Sequence, residues 1–366
     1  MKELLAKLIS FRTTADRPGE IKKGFEYIAS LFDSPSSAGF KKFDVQTFEK
    51  NGKYSLLVSF KGKDMLHPKI LLNGHFDVVP AENEDQFTMR VEGNKAFGRG
   101  TKDMKGMVAV FIEVMLELGK KDEQLDVVLL LNGDEEIGGE NGAGYMVEEI
   151  GIRPQFVLCG DGPYKDSFDI VIKEKGGVWV ELIAKGKTAH GAYVWEGENA
   201  IEKLLEAIQK IKKWVGEVRP NAWKSTINIC VVETPNKTPN KVPADARAVL
   251  DIRFTEELAK TPDELLEKIR ELVPEVQVNA LSKISLLFVE ENNIFLQSFK
   301  RTAEEILKEE ANFVFAHGAT DARYFGEVGI PAVIFGAKGE NMHAEGEWVD
   351  LDSLEKNKEI LLRFLS

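Results

Sequence analysis

Three apolar segments of strand length, each followed by polar residues, decide the fold of this chain. They are KILLNGHFDVVP at residues 69–80, DVVLLLNGDEEIGG at 126–139 and QFVLCGDG at 155–162. Between the first two lies DMKGMVAVFIEVMLELGKK at 103–121, in which apolar residues recur at helical intervals. Buried strands that alternate with helices predict an α/β fold, a sheet flanked by helices on both faces. The run PAVIFGAKG at 331–339 has the same character near the C-terminus.

The middle of the chain has a different pattern. Apolar and other residues alternate in KGGVWVELIAK at 175–185, which is typical of a half-buried strand. A helical pattern follows at residues 198–215, and two strand-like runs lie at 225–234 and 246–254. A second helix, with Thr261 as its cap, is expected at 261–273, and a fourth strand at 276–283. This order predicts an open-faced α+β sandwich. We therefore expect an inserted domain at residues 173–290 within a discontinuous domain of residues 1–172 and 291–366.

Bulk properties exclude several classes of partner. A chain of 366 residues exceeds one ordinary domain, in agreement with two. The net charge of −12 disfavours nucleic acid and does not suggest an anionic membrane surface. No apolar run is long enough to span a membrane, and the N-terminal MKELLAKLIS pattern is that of an amphipathic helix. Cys159 and Cys230 both lie in apolar runs, so we interpret them as buried thiols in a reducing, cytoplasmic compartment.

Polar residues follow the apolar runs at five places, and each place, taken alone, can also be explained by an ordinary structural role. His75 and Asp77 share one side of an extended segment, where polar residues often close a strand. Asp103 could cap the helix that follows it or bridge two cations. The acids of GDEEIGG at 133–139 could form a solvated turn or a site. The other two places are Asp161 and His343.

The five places together are more specific than any one of them. In open α/β sheets, ligands bind beyond the carboxyl ends of the strands. Two imidazoles and three carboxylates suit a pair of zinc ions that share one bridging carboxylate. Zinc lowers the pKa of bound water to about 7, and one further acid would then be available as a general base.

The sequence motifs of these segments resemble those of a known family over nearly the whole chain. The motifs are HFDVVP, GRGTKDMKG, GDEEIGG, CGDG, GKTAHGA with ENAI, LDIRF, GATDARYF and a final H-x-x-x-E. They resemble the zinc-dependent peptidase and deacylase family of succinyl-diaminopimelate desuccinylase, acetylornithine deacetylase, aminoacylase and bacterial glutamate carboxypeptidase. The resemblance implies a zinc-exopeptidase-like sheet with an inserted lid and dimerisation domain.

The resemblance also implies roles for individual residues. One zinc would be held by His75 and Asp161, the other by Glu136 and His343, and both by Asp103. A metal-bridged water would give its proton to Glu135, which would pass it to the leaving amine. Asp77 would orient His75, and the Asp103–Met104 peptide would be cis.

Three residues of the insert acquire roles from the same resemblance. His190 would reach the site of a neighbouring subunit and stabilise an oxyanion, although a structural histidine is the alternative. Arg253 would grip a substrate carboxylate, and Asn240 would supply a second polar contact. The chain departs from the family at Val194-Trp195, in TPNKTPN at 234–240, at Thr320 and at His317. Each of these departures lies where the family recognises substrate or shapes the lid.

The expected activity is hydrolysis of the amide bond of an N-acyl amino acid or small peptide with a free carboxylate, in a homodimer formed through the inserted domain. A dipeptidase or carboxypeptidase and a biosynthetic deacylase both fit. A metal-binding regulator that has lost turnover is the alternative from another class. A phosphatase-like metalloenzyme is disfavoured because the chain lacks a P-loop. Zinc is inferred from ligand type, and cobalt or manganese would also fit.

Overall fold

The computed structural model describes residues 1–33, 42–120, 125–163, 168–217, 219–220 and 222–366. Its α-helices, in chain order, are α1 (Lys2–Ser10), α2 (Pro18–Phe32), α3 (Gly106–Leu118), α4 (Tyr145–Glu148), α5 (Ala200–Val215), α6 (Pro262–Leu272), α7 (Ile294–Leu307), α8 (Ala322–Glu327) and α9 (Leu351–Leu365). The strands are β1 (Phe43–Lys50), β2 (Lys53–Phe60), β3 (Ile70–His75), β4 (Arg90–Glu92), β5 (Lys95–Phe97), β6 (Val127–Asn132), β7 (Phe156–Cys159), β8 (Phe168–Glu174), β9 (Gly176–Lys185), β10 (Thr226–Glu233), β11 (Asp245–Phe254), β12 (Gln277–Ile284), β13 (Leu287–Phe288), β14 (Ala311–Ala316), β15 (Ala332–Ile334), β16 (Gly339–Glu340) and β17 (Trp348–Asp350).

The chain divides into two compact units. The first contains Met1–Lys173, Phe288–Phe315 and Thr320–Ser366, and the second contains Glu174–Leu287 and Ala316–Ala319. The short segment Ala316–Ala319 lies outside the insert bounds of 173 and 290 that the sequence suggested. In the part of the chain that the structure describes, no helix is both long and apolar enough to cross a bilayer.

A large mixed sheet forms the centre of the first unit, as the apolar runs predicted. Its strand order is β1-β2-β6-β3-β7-β15-β8-β13, with β14 paired to β8. The strands β6, β3, β7 and β15 run parallel to their neighbours within that group, and β3, β6 and β7 are buried along their whole length. The predicted α/β fold class is therefore confirmed.

Helices cover the apolar faces of this sheet. The helix α3 has ten buried residues, more than one amphipathic face can supply, because it packs against α9 and α1 as well as the sheet. A separate small sheet with the order β16-β17-β5-β4 also belongs to the first unit. Its strands have only two or three residues each, and the sequence patterns did not predict them.

The second unit is a four-stranded antiparallel sheet with the order β10-β11-β9-β12. Alternate residues of β11 are buried, and they pack with those of β9 against α5 and α6. The predicted cap of α6 is confirmed, since the Thr261 hydroxyl accepts a hydrogen bond from the Glu264 N–H at 3.2 Å. One expectation was wrong: Cys159 is buried but Cys230 is exposed. Cys230 lies on the edge strand β10, where an apolar run is not enclosed.

Candidate metal centre

The parallel strands bring their carboxyl ends to one edge of the sheet. His75, the last residue of β3, pairs in register with Asn132, the last residue of β6. Asn73 pairs with Cys159, the last residue of β7. The residues that follow each strand therefore meet at this edge, as expected of an open α/β sheet.

Five of the predicted residues form two overlapping groups of potential ligand atoms. One group contains His75, Asp103 and Asp161, and the other contains Asp103, Glu136 and His343; within each group the ligand atoms lie within 4.8 Å of one another. The Nε2 atom of His75 is 2.9 Å from Oδ1 of Asp103, and Nε2 of His343 is 2.9 Å from Oδ2 of the same carboxylate. Each oxygen of Asp103 thus faces a different group.

The alternative role of Asp103 as a helix cap finds no support. It lies in the wide turn Thr101–Lys105 that precedes α3, and no side chain caps that helix. The Asp103–Met104 peptide is cis, as the resemblance implied. The backbone N–H groups of Lys102 and Asp103 donate to Oε1 of Glu347, at 2.9 and 3.1 Å.

The three acids of the turn after β6 are buried or half-buried, so they do not form a fully solvated turn. Asp134 is buried, and burial together with nearby acids raises the pKa of its carboxyl to about 7. The carboxylate of Asp77 accepts hydrogen bonds from the N–H groups of Glu135 and Glu136, at 3.2 and 3.0 Å. Oε1 of Glu136 accepts from the Val79 N–H at 3.2 Å, and its Oε2 lies 3.1 Å from Nε2 of His343.

The structure places Asp77 beside His75, but with more than one contact. Nδ1 of His75 is 3.1 Å from the main-chain oxygen of Asp77 and 3.5 Å from its carboxylate. The closer contact, which would fix the tautomer of the ring, is therefore the carbonyl. The carboxylate is also engaged by the acidic turn, a contact that the spacing of His75 and Asp77 does not reveal.

The electrostatics of the centre favour bound cations. Burial alone would lower the pKa of His75, but hydrogen bonds to Asp103 and Asp77 raise it well above its usual value. Hydrogen bonds to Asp103 and Glu136 raise the pKa of His343 to about 10. Burial and neighbouring acids raise the pKa of Asp161 well above its usual range. An acid-rich cluster, buried at His75 and Asp103 and exposed at His343, that stabilises positive charge on both histidines fits two divalent metal ions.

The three predicted residues of the second unit do not form one cluster within it. The His190 and Asn240 segments are adjacent, since the Gly191 N–H donates to the Asn240 carbonyl at 2.7 Å. Arg253 lies near the other end of β11, about 27 Å from Asp245, the first residue of the strand, at roughly 3.4 Å per residue. Its guanidinium is paired with Asp251, through Nε at 2.8 Å and Nη2 at 3.2 Å.

Some of the departures from the family pattern are ordered by contacts within the second unit. The Thr234 hydroxyl donates to the Asp245 carbonyl at 2.7 Å, and the Asn236 side chain donates to the carbonyls of Thr238 and Lys241. Trp195 is largely exposed, and the exposed His317 ring lies 6.4 Å from the ring of Trp223.

Several supporting residues carried no clear signal in the sequence. Arg99 is fully buried and its Nη1 donates to Oε2 of Glu347 at 2.9 Å. Lys102 is also buried, and its ammonium group donates to the Gly162 carbonyl at 2.6 Å, next to Asp161. Both residues belong to the GRGTKDMKG motif, so the motif marks the segment but not these contacts.

Comparison with known proteins gives consistent relatives. Residues 71–366 match the family model described as peptidase family M20/M25/M40. A succinyl-diaminopimelate desuccinylase of Rickettsia akari is 26% identical over 99% of this chain and 98% of its own length.

Two solved structures share the fold. An aminopeptidase PepT from Bacillus cereus has a TM-score of 0.73 at 20% identity, covering 100% of this chain and 98% of its own. A dinuclear metal binding peptidase of the M20 family from Bacillus subtilis has a TM-score of 0.64 at 16% identity, covering 100% and 99%. Because the family model matches well over half of the chain, this protein belongs to peptidase family M20/M25/M40 and is a metal-dependent amidohydrolase.

Proposed function

We propose that the chain is a two-metal hydrolase of the amide bond in an N-acyl amino acid or small peptide that carries a free carboxylate. The observation that carries this proposal is the position of Asp103, whose two oxygens each lie 2.9 Å from the Nε2 atom of a different histidine. A carboxylate with this disposition suits a bridge between two metal ions. His75 and Asp161 would complete one metal site, and Glu136 and His343 the other.

Bound divalent ions, most simply zinc, would polarise the substrate carbonyl and lower the pKa of a water molecule. Glu135 lies next to Glu136 but belongs to neither ligand group, so it would remain available to move a proton. Burial raises its pKa well above the usual value, which suits a group that accepts a proton and returns it to the leaving amine. Asp77 would hold Glu135 in place through the Glu135 N–H.

The position of Glu135 favours an enzyme over a metal-binding regulator. Burial of a carboxylate is costly unless the charge is paired or used. The five ligand residues already suffice to hold the metal, so a regulator would gain nothing from a sixth acid at this place.

The relatives and the second unit support the proposed substrate class. Similarity along the whole chain to a desuccinylase supports an N-acyl amino acid, while the shared fold of the aminopeptidase leaves a dipeptide as the alternative. Arg253 would bind the substrate carboxylate by exchanging its partner Asp251. His190 would stabilise the oxyanion and Asn240 would add a polar contact.

Metal content and turnover test this proposal together. We expect two metal ions per chain by elemental analysis, and hydrolysis of one group within a panel of N-acetyl and N-succinyl amino acids and dipeptides. Glu135→Gln should retain both metals and lose at least about a hundredfold in kcat. Glu140→Gln is the matched control, because Glu140 is an exposed acid of the same loop and should keep full activity. No bound metal, or equal activity in the two variants, would contradict the proposal.

We also propose a homodimer formed through the second unit, in the cytoplasm. The edge strand β10 supports the dimer, because Ile229, Val231 and Val232 on it are exposed. Light scattering on the purified protein tests the mass expected of two chains. The cytoplasmic location stays a prediction from the reduced cysteines.

A further inference from the structure

The turn that carries Glu135 and Glu136 is closed by short-range backbone hydrogen bonds, from the N–H groups of Ile137 and Gly139 to the Asp134 carbonyl at 3.2 and 2.8 Å and from the Gly138 N–H to the Glu135 carbonyl at 2.8 Å. It is one 3₁₀ turn, Glu135–Ile137, in which both glutamates are half-buried and the Ile137 side chain is 54% exposed. The turn ends at Gly138 and Gly139, whose φ angles of +110° and +68° are left-handed. Hydrogen-bond geometry within a single 3₁₀ turn is poor, so its carboxylates depend on contacts from elsewhere for their positions.

The first end of the turn is held by a residue already described. The carboxylate of Asp77 accepts the N–H groups of Glu135 and Glu136. These two bonds fix the start of the turn but do not reach its far end. A turn held at one end could still pivot about that end.

At the far end, side chains from outside the turn hold the carbonyl oxygen of Gly138. The Tyr324 hydroxyl donates to it at 2.7 Å, and the Arg323 guanidinium donates to the same oxygen. Nη2 of Arg323 also donates to the Tyr324 hydroxyl at 3.1 Å, so the two donors support each other. Both residues lie on α8, in the GATDARYF motif, to which the mechanism assigns no role.

Two glycines, Gly139 and Gly144, allow α8 and the residue before it to lie close to the segment that follows the turn. A Cβ atom on Gly139 would lie 2.2 Å from Oδ1 of Asp321, and one on Gly144 would lie 2.9 Å from a ring carbon of Tyr324. The Tyr324 ring is buried, and burial raises its pKa to about 12. The phenol therefore keeps its proton at neutral pH and remains a hydrogen-bond donor.

We propose that Tyr324 and Arg323 are positioning residues for the turn that carries Glu135 and Glu136, acting through the carbonyl of Gly138. The inference rests on the proposed function, in which Glu135 moves a proton and Glu136 binds a metal ion. Loss of the hydrogen bonds to the Gly138 carbonyl should weaken metal binding at the group of Asp103, Glu136 and His343. It should also slow turnover, because a displacement of about 1 Å at a reacting group can cost a hundredfold in rate. Metal binding at the group of His75, Asp103 and Asp161 should be unchanged.

The experiment compares Tyr324→Phe with Tyr27→Phe. Both changes remove one hydroxyl and keep the ring, and Tyr27 packs on Phe11 away from the turn. Zinc is titrated into the metal-free protein against a chromophoric chelator. For Tyr324→Phe we expect one of the two dissociation constants to rise about five- to tenfold while the other is unchanged. We also expect kcat to fall about five- to tenfold with KM within twofold. Tyr27→Phe should match the wild type in both measurements.

A second pair of variants tests the cation. Arg323→Ala should weaken the same metal site by at least tenfold, and Arg323→Lys should restore part of that loss because it keeps a donor. Thermal unfolding is recorded for every variant. A purely structural role would lower the melting temperature and weaken both metal sites equally, which would overturn the inference.

The outcomes separate this inference from the function beneath it. Two metal sites unchanged in Tyr324→Phe and Arg323→Ala would overturn the inference and leave the proposed function intact. A wild-type protein that binds two metals but hydrolyses no amide would overturn the proposed function, and the metal titration would still decide the inference. A wild-type protein that binds no metal would overturn both.

Discussion

Replacement of Glu347 by glutamine gives the sharpest test of how the centre is supported. The Glu347 carboxylate is buried and accepts four hydrogen bonds, from Arg99 Nη1 and Gly100 N on one oxygen and from Lys102 N and Asp103 N on the other, at 2.9–3.1 Å. Glutamine has the same shape but offers only one acceptor oxygen. Two of the four donors would therefore face an NH₂ group.

The expected loss can be worked from these contacts. A hydrogen bond to a charged group contributes about 1.5–3 kcal/mol, so two lost bonds amount to roughly 3–6 kcal/mol. Breaking a buried ion pair such as Arg99–Glu347 costs about 3–5 kcal/mol by itself. Burial raises the pKa of Glu347, which shows that burying its charge has a cost. Part of the stabilisation from the four hydrogen bonds offsets that cost and does not add to the stability of the fold. We therefore expect the lower end, about 3 kcal/mol of unfolding free energy.

Urea denaturation followed by circular dichroism measures this loss, and the same arginine supplies the control. Arg99 also pairs with Glu82, at 3.3 Å, but Glu82 is 48% exposed whereas Glu347 is 1% exposed. Glu82→Gln should cost no more than about 1 kcal/mol, as exposed pairs do. Glu347→Gln should also weaken zinc binding, since it loosens the Asp103 segment. A loss in Glu347→Gln no larger than that in Glu82→Gln would refute the reasoning.

Two further pairs of residues give clear expectations. Alanine at Gly138 or Gly139 should lower the free energy of unfolding by about 1–2 kcal/mol, because both residues have a left-handed backbone. Only at Gly139 would the new Cβ atom collide with Asp321. Gly139→Ala should therefore lose about 1–3 kcal/mol more than Gly138→Ala in the same urea assay. Equal losses would contradict this expectation. In a thiol titration with a chromogenic disulfide, Cys159 should react only after unfolding, whereas Cys230, on the β10 edge proposed as the dimer interface, should react in the native protein and faster as dilution separates the chains; two fast thiols per chain would show that Cys159 is not buried.

The residues that the structure brings together at the candidate metal centre could be grouped from the sequence because a general rule places them. Strands β3 and β7 appear as apolar runs, and the carboxyl ends of parallel strands meet at one edge. His75 and Asp161 lie at or just after such ends, so neighbours in space could be inferred from positions along the chain. The remaining assignment, which acid bridges and which moves a proton, came only from the resemblance.

Predictions failed where the position of an element in its sheet decides the outcome. The run INICVV around Cys230 has the composition of a buried strand, yet β10 is an edge strand whose residues are largely exposed. Apolar composition records the propensity to form a strand, and it does not record which strand lies at the edge. The hairpin of β1 and β2, which extends the large sheet by antiparallel pairing, likewise had no distinctive pattern.

The supporting contacts were out of reach for a different reason. Glu347 is separated by 244 to 248 residues from the groups it binds, and three of its four donors are backbone N–H groups, which every residue except proline carries. The small sheet that brings the two segments together consists of strands of two or three residues, too short to show any period. The role of the Gly138 carbonyl could not be predicted either, because it is a backbone group and no side chain identifies it as the acceptor. Candidate ligand residues are therefore recognisable by type, and Glu347 by its place in the final H-x-x-x-E, whereas the contacts that fix their positions are recognisable only once the fold has placed the partners. Substitution of Glu347 and Tyr324 should separate the two roles.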